Sequence, residues 1–156
     1  MTPRIVPLLL MILVVGCHSA QTSQTGSPGD KPGVKLQVSF KLDPQLAGGT
    51  YGGERWVSPP IYGSAAQVGP EVTVEARAEA VDGAGRPVRI NPQWTAADPG
   101  LVAIAPVTPG QSSQVRITVK HAGQSKLKIT WQETSRELLV RGKSLSQGAM
   151  QVEVVQ

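Results

Sequence analysis

Few side chains in this sequence could do chemistry, and their spacing decides which kind. The histidines are His18 and His121, and the single cysteine is Cys17. His18 lies in a polar stretch and His121 in a turn beside Ala122-Gly123, so both read as solvated side chains rather than general bases. One cysteine allows no internal disulfide, and metal clusters of His and Cys are out of reach. The acids supply no D-x-D-x-D-G calcium loop. Asp43, Asp82 and Asp98 each sit in a turn, where side-chain bonds to the backbone account for them. Glu75 and Glu79 alternate with Arg77 along a strand face, the pattern of a solvated or cross-strand paired surface. No Gly-rich phosphate loop precedes a helix. The expectation is a non-catalytic chain with no cofactor and no metal.

The aromatic residues are the other candidates. Tyr51, Trp56 and Tyr62 fall within Asp43–Pro70, a stretch punctuated by Gly48-Gly49, Gly52-Gly53, Pro59-Pro60 and Gly69-Pro70. Rings with a polar handle suit two roles. They can cap a core where the segment crosses the end of a sandwich, or form an exposed platform that contacts a glycan or a protein.

Cys17 ends the leader M-T-P-R-I-V-P-L-L-L-M-I-L-V-V-G-C, in which Arg4 precedes an apolar run from Ile5 to Val15. A bilayer span takes about 20 apolar residues, so this shorter run matches the hydrophobic region of a secretory signal. Val14-Val15-Gly16-Cys17 resembles the lipobox of bacterial lipoprotein signal peptides, with Val14 where Leu is usual. The resemblance implies cleavage between Gly16 and Cys17, a diacylglycerol on the thiol, and commonly an acyl chain on the new amine. Each buried CH₂ contributes about 0.8 kcal/mol, so one chain holds marginally and two or three hold stably. Residue His18, rather than Asp, follows the cysteine. Resemblance to sorted lipoproteins then implies the outer membrane of a two-membrane host, or the outer face of the plasma membrane of a one-membrane host.

Residues 17–33 read as the lipidated linker. From His18 to Gly33 the chain is rich in Ser, Thr, Gln, Gly and Pro, with Ala20 as its only apolar side chain. Such a stretch cannot bury enough surface to offset its ordering entropy. As a flexible coil it spans roughly 20–24 Å and holds the folded part off the lipid. Without Arg4 the net charge falls from +4 to +3, and the charges are interspersed rather than clustered. Nucleic acid is therefore not an expected partner.

The elements that must position these residues are strands. Gly 17 and Pro 13, with no helix-period stripe, point to an all-β domain over residues 34–156. Val34, Leu36, Val38, Phe40 and Leu42 alternate with polar residues, as do Val72, Val74, Ala76, Ala78 and Ala80. The alanines leave room for a bulky neighbour from a facing sheet, and Trp94 is the expected occupant. Further strands are expected at Arg86–Ile90, around Trp94, at Val102–Ile104, Val115–Val119, Leu127–Trp131, Leu138–Val140 and Met150–Val154, with loops at Pro106–Gln114 and Gly142–Gly148. Turn signals every 8–12 residues are the spacing of a β-sandwich, here of about 7–9 antiparallel strands. The expected core includes Trp94, Val102, Ile104, Leu127 and Ile129. Burying one Trp removes about 150–250 Å² from water, an upper bound of roughly 4–6 kcal/mol.

Residues 72–140 resemble the group 2 bacterial immunoglobulin-like domains. The likeness is carried by A-V-D-G-A-G-R-P-V at Ala80–Val88, W-T-A-A-D-P-G-L-V-A-I at Trp94–Ile104, and A-G-Q-S-K-L-K-I-T at Ala122–Thr130. The family's Gly-x-Val segment after the Val-Ala-x-Val strand is replaced by P-V-T-P-G-Q-S-S-Q at Pro106–Gln114. The resemblance implies an immunoglobulin-like sandwich serving adhesion, spacing or display at a cell surface. The expected function is a monomeric, membrane-anchored module of the cell envelope that binds or spaces envelope proteins. The alternatives are a carbohydrate or peptidoglycan binder using the 43–70 aromatics, and an accessory subunit of an envelope complex.

Overall fold

The computed structural model describes residues 34–43 and 55–156. Its strands are β1 (Lys35–Lys41), β2 (Trp56–Val57), β3 (Ile61–Gly63), β4 (Gln67–Val68), β5 (Val72–Val81) and β6 (Pro87–Val88). They continue as β7 (Gln93–Ala96), β8 (Val102–Thr108), β9 (Gln111–Val119), β10 (Gly123–Trp131), β11 (Thr134–Ser144) and β12 (Ala149–Val155). Among the described residues the only helical piece is a short 3₁₀ turn at Ser146–Gly148. One sheet has the order β2-β1-β5-β9-β8, with β6 beside β5. The other has the order β3-β12-β11-β10-β7, with β4 beside β12. All pairings are antiparallel, and the two sheets form a β-sandwich compatible with an immunoglobulin-like fold.

Alternation builds the core, because successive side chains on a strand point to opposite faces. The first sheet contributes Leu36, Val38 and Phe40 from β1, Val72 to Ala80 from β5, and Val115, Ile117 and Val119 from β9. The second contributes Leu127 and Ile129 from β10, Leu138 and Val140 from β11, and Met150, Val152 and Val154 from β12. Leu101, just before β8, is also buried.

The alanines of β5 have different partners from the one expected. Phe40 lies opposite Ala76, Val38 opposite Ala78, and Leu36 opposite Ala80. Each small residue thus sits beside a larger one on the neighbouring strand of its own sheet. Trp94 is half-buried on β7, at the edge of the sandwich, and packs against the core without entering it. The rings sealed between the sheets are Phe40 on β1 and Tyr62 on β3, stacked with centroids 4.7 Å apart. Of the expected core, Val102, Leu127 and Ile129 are buried, while Ile104, like Trp94, is half-buried.

The segment from Arg55 to Pro70 crosses between the sheets. Trp56 and Val57 pair with β1, whereas Ile61–Gly63 pairs with β12. Pro59-Pro60 stands between them, and the missing N–H groups end one ladder so that the chain can join the other.

One expected loop, 106–114, is mostly strand, and the other starts later than expected, being confined to 145–148. Residues 106–114 form the outer half of the β8–β9 hairpin, turning at Pro109-Gly110 with Gly110 at φ +77°. Pro106 is tolerated because β8 is an outermost strand, where a missing N–H disrupts no further pairing. Gly142 belongs to β11, which runs to Ser144. A Cβ there would lie 2.5 Å from the His121 carbonyl oxygen and 2.8 Å from Val119 Cγ1. That glycine lets the β9–β10 turn close onto the other sheet and is not a loop signal.

Candidate functional site

The residues singled out for chemistry fall into separate places. Cys17, Gly16 and Tyr51 lie outside the described residues. Tyr62 is only 4% exposed, and its hydroxyl donates to the Lys41 carbonyl at 3.0 Å. It caps the core and offers no stacking face to a ligand, which corrects the platform reading at this position. Burial, and after it the charge of Asp43, pushes its hydroxyl up to about 12.

Trp56 is half-buried on β2. The Arg77 guanidinium lies over its ring, 4.8 Å from the centroid, in cation–π geometry. Arg77 is on β5 and Trp56 on β2, so the contact bridges β1 between them. Ser39, the β1 partner of Arg77 in register, is therefore covered at 7% exposure where alternation predicts a wet residue.

The acids behave as turn and cross-strand groups. Asp82 Oδ1 accepts from the Ala84 and Arg86 N–H groups, both at 2.9 Å. The Arg86 backbone bond is the main cause holding its carboxyl below the usual range. Asp98 Oδ1 accepts from the Gly100 N–H at 2.9 Å and the Leu101 N–H at 3.2 Å. Glu75 faces Lys41 Nζ at 3.3 Å and Arg116 Nε at 3.8 Å, from the strands on either side. His121 is exposed, with Nδ1 3.0 Å from the Ala122 carbonyl oxygen. Among the described residues, no group of three or more His, Cys, Asp or Glu is gathered to hold a metal ion.

A concave site walled by Trp94 is one the sequence reading did not assign. Strand β7 ends one sheet and β8 ends the other, and the seam between them opens as a groove of about 440 Å³. Trp94, Ile104 and Pro106 line it, and Asn91, Pro92 and Ser112 form one end. Trp94 Nε1 donates to the Ser112 carbonyl at 2.7 Å, which fixes the indole at the lip. Ser112 in turn holds Asn91: its N–H donates to Asn91 Oδ1 at 2.6 Å, and its hydroxyl lies 2.7 Å from the same oxygen. The hydroxyl also contacts the Pro92 carbonyl.

The chain matches no family model, no curated protein and no solved structure. Function must therefore be argued from these residues. By its local chemistry Asn91-Pro92 is a strand break and nothing more. The pairing that gives Asn91 a role comes from Ser112, 21 residues further on, and local pattern does not reveal it.

Proposed function

We propose that the chain is a non-catalytic lipoprotein of the cell envelope, carrying an immunoglobulin-like module of the bacterial group 2 type for protein interaction, adhesion or spacing. The observation that carries this is the order of segments. Val14-Val15-Gly16-Cys17 closes an apolar run, a polar stretch follows, and a strand-rich sandwich begins at Lys35. Lipid on Cys17 supplies the membrane partner, and the polar stretch supplies the spacing.

The group 2 reading is supported by where its motifs fall in the fold. The Trp94 segment is β7, the Asp98 turn follows, and Val102–Ile104 opens β8. The Ala122–Thr130 segment forms the turn into β10 and most of that strand. A sandwich that presents two broad faces and several turns suits contact with an envelope protein, while its fold alone selects no partner.

The test is mass spectrometry of the exported chain, together with Cys17→Ser. Expected is an N-terminal cysteine carrying a diacylglyceryl mass, and loss of membrane association in the variant. An exported chain with an unmodified thiol would overturn the proposal.

A further inference from the structure

We infer that the groove between β7 and β8 is a binding site for a neutral saccharide, with Trp94 as its stacking face. Small-molecule sites are concave, mostly apolar and furnished with a few placed polar groups, typically within about 300–1,000 Å³. The volume of about 440 Å³ fits that range. Trp94 and Ile104, both half-buried, give the apolar wall, and Pro106 extends it. A sugar ring has apolar C–H faces that lie well on such a surface and hydroxyls around its edge.

The polar end is already arranged. Ser112 occupies Asn91 Oδ1, so the amide orientation is set and Nδ2 points elsewhere. Asn91 is exposed, and its Nδ2 has no hydrogen-bond partner among the described residues. Asn91 lines the same groove as Trp94, so its amide offers two N–H donors there with its orientation already set. None of the side chains lining the groove carries a charge. An anionic or cationic ligand would lose its hydration there without an ion pair in return. A neutral, hydroxyl-rich ligand meets no such cost.

An added peptide strand fits less well. The β8 edge carries Pro106, which lacks an N–H, and its register shifts between Pro106 and Thr108. The β7 edge is only four residues long. Both features blunt strand addition.

The inference does not depend on the lipid anchor. The full-length protein, in a detergent without a sugar headgroup, is titrated with polygalacturonate as an anionic control and with the neutral sugars cellotetraose, tetra-N-acetylchitotetraose and maltotetraose. Tryptophan fluorescence and calorimetry follow the binding. Expected is saturable binding of at least one of them. Asn91→Asp keeps the oxygen that Ser112 holds and removes the two donors, so it should weaken binding roughly tenfold, the size of one good hydrogen bond. Trp94→Leu keeps an apolar side chain and removes the ring, and should weaken it by about the same factor or more. Melting temperature is measured alongside, and a normal value for Asn91→Asp keeps the test valid if Trp94→Leu folds poorly. Three results would each overturn the inference: no saturable binding of any of the three sugars, binding unchanged in Asn91→Asp, or binding of polygalacturonate in preference to the neutral sugars. Any of them leaves the anchoring by Cys17 open to its own mass measurement.

Discussion

At Tyr62 the structure selects the core cap from the two roles that the sequence left open. Its ring is apolar enough for the core, and its hydroxyl is satisfied by the Lys41 carbonyl. The folded chain holds its proton up to about pH 12, against an ordinary value of 10.0. Between those values the unfolded chain releases the proton first, so stability falls as pH rises. The contribution, about 2–3 kcal/mol for a shift of this size, is complete below about pH 10 and gone by about pH 12. The urea midpoint of the wild type should therefore drop more steeply over that window than that of Tyr62→Phe. Parallel curves would rule out the buried hydroxyl as the cause. A second prediction separates the two large ring positions. Phe40 is fully buried, so Phe40→Ala should cost about 3–5 kcal/mol. Trp94→Ala should cost clearly less, because part of the indole is already in water, and denaturant melts of both variants decide the order. The expectation that Trp94 is the sealed centre of the fold fails for this reason.

Among the elements, long alternating strands were legible and interrupted ones were not. β1 and β5 read directly from alternating apolar side chains, because one face of each is buried and the other is largely polar. β2, β3 and β4 have two or three residues each, too few for any period to show. They exist because β1 and β12 offer open edges, which is a property of the assembled sheets. Gly142 failed differently. A glycine in a strand reads as a break, while here it marks a close approach. Gly142→Ala should destabilise by about 1–3 kcal/mol through overpacking against the His121 backbone, which cannot swing aside as a flexible side chain would. Thermal melting checks this; an unchanged midpoint would mean the β9–β10 turn moves freely. The Gln132-Glu133 turn joins β10 directly to β11. Trp131 pairs with Thr134 across two residues, and Gln132 takes φ 52° where a Gly or Asn is the usual signal.

For the whole molecule, the proposed anchor and the sandwich make separable demands. Cys17→Ser should move the protein from the membrane fraction to the soluble one while leaving the melting temperature of the sandwich unchanged. Fractionation and calorimetry on the same variant test both halves of that statement. A lowered melting temperature would show that the leader region supports the fold as well as its location. The ion pairs add little to the stability of the sandwich. Glu153 accepts from Lys143 and Arg141, and these bonds hold its carboxyl below the usual range. Pairs of this kind at a surface contribute little and weaken with salt.

Composition and alternation were enough to determine an all-β chain, the faces of its long strands and the turns at Asp82 and Asp98, because each depends on residues within a few positions of one another. The leader and the polar stretch are readings of local composition alone and lie outside the described residues. Tertiary structure alone decided which ring is buried and what fills the space beside the β5 alanines. It also decided where the chain changes sheets and that Asn91, Ser112 and Trp94 meet at one groove. Those outcomes depend on contacts between residues far apart in sequence. The free energy of such a contact exists only once both sheets are in place, so no local pattern carries it.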